Sequence, residues 1–298
     1  MGQAVLVAWV WTAAAVFVAA CAWRAWRYAS APVHLRWDLY PVAHEPAARR
    51  AYGGSHLEER EYWTKPQARS LVGEVTAMLE EILFLRGVWT HNRRVFWGSL
   101  PFHWGLYLLI GTSGLLALTA LGFRPEWLMV LTRGVAALGG ALLLAGALRL
   151  LVLRTTDRGL KRYSSPLDRL NLAVFAVLGA LSAAIPLGSA GMAPASDAVA
   201  AMLRFQAPGA PGLVVAHMLL AGLVLVYLPF TRMVHFFAKY FLYHDVRWDD
   251  RPVEAGSDME KRLQSALQFG VSWSADHVGT GTWAEVATST PASARKTQ

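Results

Sequence analysis

Residues 211–240 read PGLVVAHMLLAGLVLVYLPFTRMVHFFAKY, a run greasy enough to lie in a membrane that nevertheless carries two histidines. His217 and His235 are eighteen residues apart (235 − 217). At about 3.6 residues per turn that is five whole turns, so an unbroken helix sends both imidazoles from one face. At a rise of about 1.5 Å per residue they stand roughly 27 Å apart, close to the thickness of a bilayer's hydrocarbon core.

The rest of the chain has the same character. Of 298 residues 55% are hydrophobic and 16% charged, with the apolar residues gathered in long blocks, which is the composition of an integral membrane protein. Five blocks reach the length of about 20 residues that a crossing needs: roughly 4 to 23, 99 to 122, 127 to 152, 170 to 191 and 212 to 237. The fold expected is an all-α integral membrane protein, a five-transmembrane-helix bundle. The expected divisions are a first transmembrane helix (1–23), a cytoplasmic docking insertion (24–98), a four-helix membrane core (99–240) and a cytoplasmic C-terminal tail (241–298), partly disordered.

No Lys or Arg precedes the first block, whereas Arg24 and Arg27 follow it, so "VAAC" at 18–21 is taken as part of an uncleaved helix. Cations set the orientation. The stretch from Arg24 to Arg94 and the loop RTTDRGLKRYSSPLDRLN (154–171) are rich in Arg and Lys, while the other two connections hold one each, Arg124 and Arg204. The basic segments belong in the cytoplasm, the N-terminus outside and the C-terminus inside. The net charge of +8 is thereby accounted for by topology without nucleic acid.

Cys21 is the sole cysteine and lies in the first block. One cysteine holds neither an iron–sulfur cluster nor a disulfide, so any such redox centre belongs to another subunit. No glycine-rich phosphate loop or dinucleotide fingerprint is present. In the insertion, Trp37, Tyr40, Tyr62 and Trp63 point to an ordered docking segment, since such residues are costly to expose. Within it GEVTAMLEEILFLRGVW (73–89) has the spacing of a short amphipathic surface helix.

His103, His217 and His235 sit inside or at the margin of membrane helices, where a polar ring needs a partner and is usually functional. His103 lies a few residues inside the start of the second helix and His235 near the same face at the end of the fifth. A porphyrin held between those helices by His103 and His235 would be six-coordinate. Gly98 and Gly105 would let a flat macrocycle approach the backbone, and Arg232, Arg93, Arg94 and Lys239 sit where propionates would emerge. A heme-free transporter or assembly factor using the histidines as a proton relay is the competing class. That class expects acidic residues in the spans, and the five blocks contain no Asp or Glu beyond their margins.

GSLPFHWGLYLL (98–109) resembles the second-helix motif of the gamma (cytochrome b) subunit of respiratory nitrate reductase. AHMLLAGLVLVYLPFTRMVH (216–235) is similar to that family's fifth-helix motif. The resemblance covers roughly residues 95 to 240 and implies heme b ligated by His103, His235 and His217. RWDLYPVAHEP (36–46), YGGSHLEEREYWTKP (52–66) and GLYLLIGTSG (105–114) look instead like the branch paired with heterodisulfide-reductase-like iron–sulfur proteins. The implied activity is that of a subunit of a quinone-linked oxidoreductase in a prokaryotic cytoplasmic (inner) membrane. It would exchange electrons between menaquinone or another quinone and a cytoplasmic iron–sulfur subunit; a molybdoenzyme anchor of the nitrate reductase type is the alternative.

Two-heme members carry a second histidine on helix two, ten residues beyond the first, where this chain has Ser113. Three readings follow: a five-coordinate heme on His217, a heme with a weak sixth ligand from Met192 or Met202, or one inner heme with His217, beside Ser113, reused for quinone. Arg133 matches the position of a basic residue that serves the family's quinol site, where a cation could hold a quinone carbonyl.

Overall fold

The computed structural model describes residues 3–31, 43, 45, 59–66, 70–247, 253–273 and 281–289. Trp37, Tyr40, His34, His44, His56, His277 and the end of the tail lie outside the described residues, as does the side chain of Trp63. Among the described residues the structure is helical, without strands; Gly270 and Thr282 form an isolated bridge. Five helices are long and apolar enough to cross a membrane. They are Ala4–Ala29, Arg93–Ala120, Glu126–Thr156, Pro166–Leu187 and Gly212–Phe230, the first to fifth spans below.

By its contacts the chain divides into two compact units: residues 1–21 with 76–232, and residues 22–75 with 233–298. The first unit holds the bundle, and glycine is what closes it. A Cβ on Gly105 would lie 2.4 Å from the Leu143 nitrogen, one on Gly146 2.4 Å from the Phe102 nitrogen, and one on Gly140 2.4 Å from the Ala183 nitrogen. Spans two, three and four therefore touch backbone to backbone, the close approach that small residues permit between membrane helices. Hydroxyls inside the spans turn back onto their own helix, as Thr112 does to the Leu108 carbonyl and Thr132 to that of Leu128. That satisfies the hydroxyl where water is absent.

The first span is pinned to the fifth. The Trp9 indole donates to the Leu219 carbonyl at 3.3 Å and lies against Gly222. Trp11 donates to the Met202 carbonyl, at the end of the short helix Ala193–Leu203, and stacks on Phe205. That short helix is fastened to the end of span two by the buried Thr119–Ser196 hydroxyl pair at 2.7 Å and by Arg124, which reaches Asp197 and the Thr119 carbonyl.

The basic loop between spans three and four starts on Asp157, which accepts from the N–H groups of Gly159 and Leu160 and from Arg94. The Leu160 N–H above all, then that of Gly159 and the Arg94 guanidinium, hold the Asp157 carboxyl below the usual carboxylate range. A depressed folded value means that the turn's stabilisation is complete above the ordinary carboxylate value and disappears as pH falls through the lowered one. Protection of the Gly159 and Leu160 amides, measured as exchange relative to an unstructured peptide at the same pH, is accordingly expected to hold at pH 5 and to fall only below the normal Asp range. Protection that is already being lost near pH 5 would contradict this.

In the second unit Tyr28 packs on Phe237 and Phe241, and Arg262 donates to the Ala31 carbonyl. The tail forms the helix Asp258–Leu267, capped by Ser257, and the short helix Trp283–Thr288, with a Thr282–Glu285 capping box.

Candidate functional site

Span two starts where the Asn92 side chain accepts from the Val95 N–H, and it carries Pro101 two residues before His103. His103 is half-buried, and its Nδ1 lies 2.7 Å from the carbonyl of Ser99, one turn back. A carbonyl only accepts, so Nδ1 bears the proton and the ring's lone pair is on Nε2. His91 makes the same bond to the Gly87 carbonyl and His244 to that of Tyr240, each one turn back, so the bond sets the tautomer of His103 without by itself marking a ligand. Phe102 and Tyr107 stand around the ring, with centroids 5.5 and 6.3 Å away.

The glycines beside His103 are otherwise employed than the sequence reading expects. Gly105 faces the Leu143 backbone and Gly98 the Leu150 side chain. The room foreseen for a macrocycle at these positions is taken by the third span, because a glycine that admits a ligand and one that admits a helix look alike in sequence. Two candidate cations also have partners: Arg94 pairs with Asp157, and Arg93 lies 4.6 Å over the Trp89 ring. Arg232 follows the fifth span and is exposed, and Lys239 is half-buried.

Residues 211–240 do not form one helix. The α-helix ends at Tyr227, a 3-10 turn runs Leu228–Phe230, Thr231 is extended at φ −108 and ψ 178, and a second 3-10 turn, Arg232–Val234, leads to the helix His235–Phe241. Pro229, which has no N–H to donate, sets the break. The five-turn argument, and the figure of roughly 27 Å drawn from it, therefore lose their basis. His217 belongs to the fifth span in the first unit, while His235 opens a new helix in the second.

His217 has a partner that the sequence reading missed. Its Nε2 lies 3.0 Å from the hydroxyl of Ser182 on span four, and that hydroxyl donates to the Leu178 carbonyl at 2.8 Å. With its one hydrogen spent on Leu178, Ser182 accepts from His217, whose proton is then on Nε2. Ser182 is buried, and the available signal was a lone hydroxyl in an apolar span. A second unforeseen pair joins the same spans, Tyr227 donating to the Asn171 amide oxygen at 2.7 Å.

Ser113 is exposed and donates to the Leu109 carbonyl. Met192 is buried with Ala136 and Ala195, and Met202 with Leu6 and Val7, where Val215 and Met218 of the fifth span pack against it. Arg133 lies in span three with its guanidinium near Gly191, whose φ is +56. Since Leu143 meets Gly105 and Gly146 meets Phe102, His103 is level with about residue 145 of span three. Arg133 is twelve residues from that level, about 18 Å along the bundle at 1.5 Å per residue.

The five spans define a multi-pass helical membrane protein, with His103 and His217 inside its spans. The family model of the nitrate reductase gamma subunit matches residues 88–248, more than half of the chain, and the chain belongs to that family. Its members are heme b electron-transfer subunits of an oxidoreductase complex. No curated protein and no solved structure matches the chain.

Proposed function

We propose that this chain is the cytochrome b subunit that carries electrons between the quinone pool and a cytoplasmic iron–sulfur partner of the heterodisulfide-reductase type. The observation that carries the proposal is the family match over 88–248, which contains His103, His217 and His235. In this reading His103 and His235 would hold heme b through their imidazoles, and the Nδ1 bond of His103 to Ser99, which puts the ring's lone pair on Nε2, is compatible with the first of them. Arg232 supplies a cation for a propionate, and Gly105 lets span three close on the span that bears His103. Bound heme b supplies reversible one-electron transfer in a buried site. The chain's residues do the rest: imidazoles hold and orient the group, and apolar spans exclude water from it.

His217, paired with Ser182, favours the reading with a single inner heme. Arg133 holds a quinone carbonyl near the other end of the bundle, with Ser113 and His217 on the same side of the membrane's middle as polar contacts. The N-terminus lies outside and the C-terminus inside a prokaryotic cytoplasmic membrane, as the basic loops require. The insertion 24–98 and the tail 241–298 present the partner surface, while residues 99–240 hold the heme. If quinol is oxidised at the Arg133 end, protons leave outside while electrons travel inward, an electrogenic step; running the other way, the partner reduces the quinone.

A second reading is favoured by the family's own name: an anchor for a nitrate-reductase-type molybdoenzyme. Copurification from native membranes separates the two. A cysteine-rich iron–sulfur protein is expected to accompany the chain, and a quinol is expected to reduce its heme. A large molybdopterin subunit in its place would establish the second reading, and absence of heme from the native complex would sink both.

A further inference from the structure

The helix Leu71–Phe84 lies ahead of the family-matched residues and has none of its side chains buried. Leu71, Val72, Val75, Leu79 and Ile82 are all exposed, Leu71 and Val72 by 72% and 78%. At about 100° per residue these five fall within a sector of about 100°, one apolar stripe along the helix. A stripe of this kind needs an apolar covering.

Two observations say what covers it. The helix ends at Leu85, in the left-handed region at φ 49, and its last carbonyls go to the second span: the Trp104 indole donates to Leu83 at 3.0 Å and the Tyr107 hydroxyl to Ile82 at 2.8 Å. These residues are eleven and fourteen positions past Arg93, about 17 and 21 Å down a membrane-crossing helix. Carbonyls at a helix end are satisfied by side chains of a span where water is not at hand. The helix's carboxylates are also all engaged. Glu74 meets His244, Glu80 meets Arg86, and Glu81 accepts from the Gly87 N–H at 2.8 Å. Partnered carboxylates lower the cost of placing this helix at a lipid boundary, although the Glu80–Arg86 pair is itself exposed.

We propose that Leu71–Phe84 is an interfacial membrane helix whose apolar stripe is immersed in lipid acyl chains. It is latched to span two by Trp104 and Tyr107, and it forms the lipid-side wall beside His103. Tyr107 is the link, since its ring neighbours His103 and its hydroxyl holds the Ile82 carbonyl. The inference rests on the membrane reading of the bundle, and on neither heme nor quinone.

The test uses the full chain in lipid nanodiscs without partner subunits. Cys21 is changed to Ser, and nitroxide labels are placed singly at Val75, Leu79 and Ile82, all exposed. Oxygen collisions are expected to exceed those of a water-soluble nickel chelate at all three sites, with the ratio rising toward Ile82. In Tyr107→Phe the Ile82 label is expected to become more mobile. A membrane-confined carbene reagent on the unsubstituted chain should modify residues 79–84, which covers the case of a labelled variant that misfolds. Nickel accessibility above oxygen at Leu79 and Ile82, with no carbene labelling, would overturn the proposal and leave the stripe to a protein partner. Heme content is read separately, so loss of the cytochrome reading leaves this result standing.

Discussion

Replacement of His103 by alanine is expected to take the purified chain from one heme b to none, read by a pyridine hemochrome assay and a reduced-minus-oxidised spectrum. In the proposed site His103 would hold the heme through an imidazole whose tautomer is set by the Ser99 carbonyl, and alanine offers no atom in its place. The bundle should survive the change. Spans two and three meet through Gly98, Phe102 and Gly105, which at about 100° per residue lie on a different part of the helix surface from His103. Helicity by circular dichroism is therefore expected to stay at the wild-type level while the heme signal disappears. The companion variant, His217→Ala, is expected to retain the heme, because Ser182 already holds that ring's Nε2. Undiminished heme in His103→Ala would remove the ligand assignment. Loss of half the heme in His217→Ala would show that the outer histidine ligates a second group despite Ser113.

How far the sequence discloses this arrangement depends on the kind of signal. The five spans are legible because length and apolarity act over about 20 residues, and no local detail overturns them. Helix ends are less so: the second span begins at Arg93 and the third runs to Thr156, beyond their apolar blocks, since capping by Asn92 and Asp157 decides the boundary. The fifth block misleads for a nameable reason. Hydropathy continues through Pro229 and Thr231 without a break, so counting turns from His217 to His235 assumes a helix that the backbone interrupts. Gly105 was visible as special, yet the neighbour it admits is Leu143, and no spacing rule distinguishes a flat ligand from a second backbone. Ser182 was invisible because its role depends on a residue 35 positions away.

That ambiguity about glycine has a measurable side, and it carries the other large effect expected. Gly140→Leu and Gly146→Leu should each strongly destabilise the bundle, because the added Cβ meets backbone nitrogen at 2.4 Å, of Ala183 and Phe102 respectively. A side chain in the way can rotate; a backbone can move only with its whole helix. Overpacking costs about 1–3 kcal/mol where rotamers can adjust, so these sites belong at or above the top of that range, with the melting temperature in detergent falling to match. Gly111 and Gly114, on span two, have nothing within 4 Å of their would-be Cβ. Leucine there removes glycine's helix penalty of roughly 1 kcal/mol and extends into open space, so these variants should melt at or slightly above the wild-type temperature. The contrast is the test, since all four substitutions add the same apolar side chain to a membrane helix. Equal melting temperatures across the four would mean that the spans do not meet at Gly140 and Gly146. The level of His103 against Arg133 would then lose half its basis, because the Gly146–Phe102 contact is one of the two that set it.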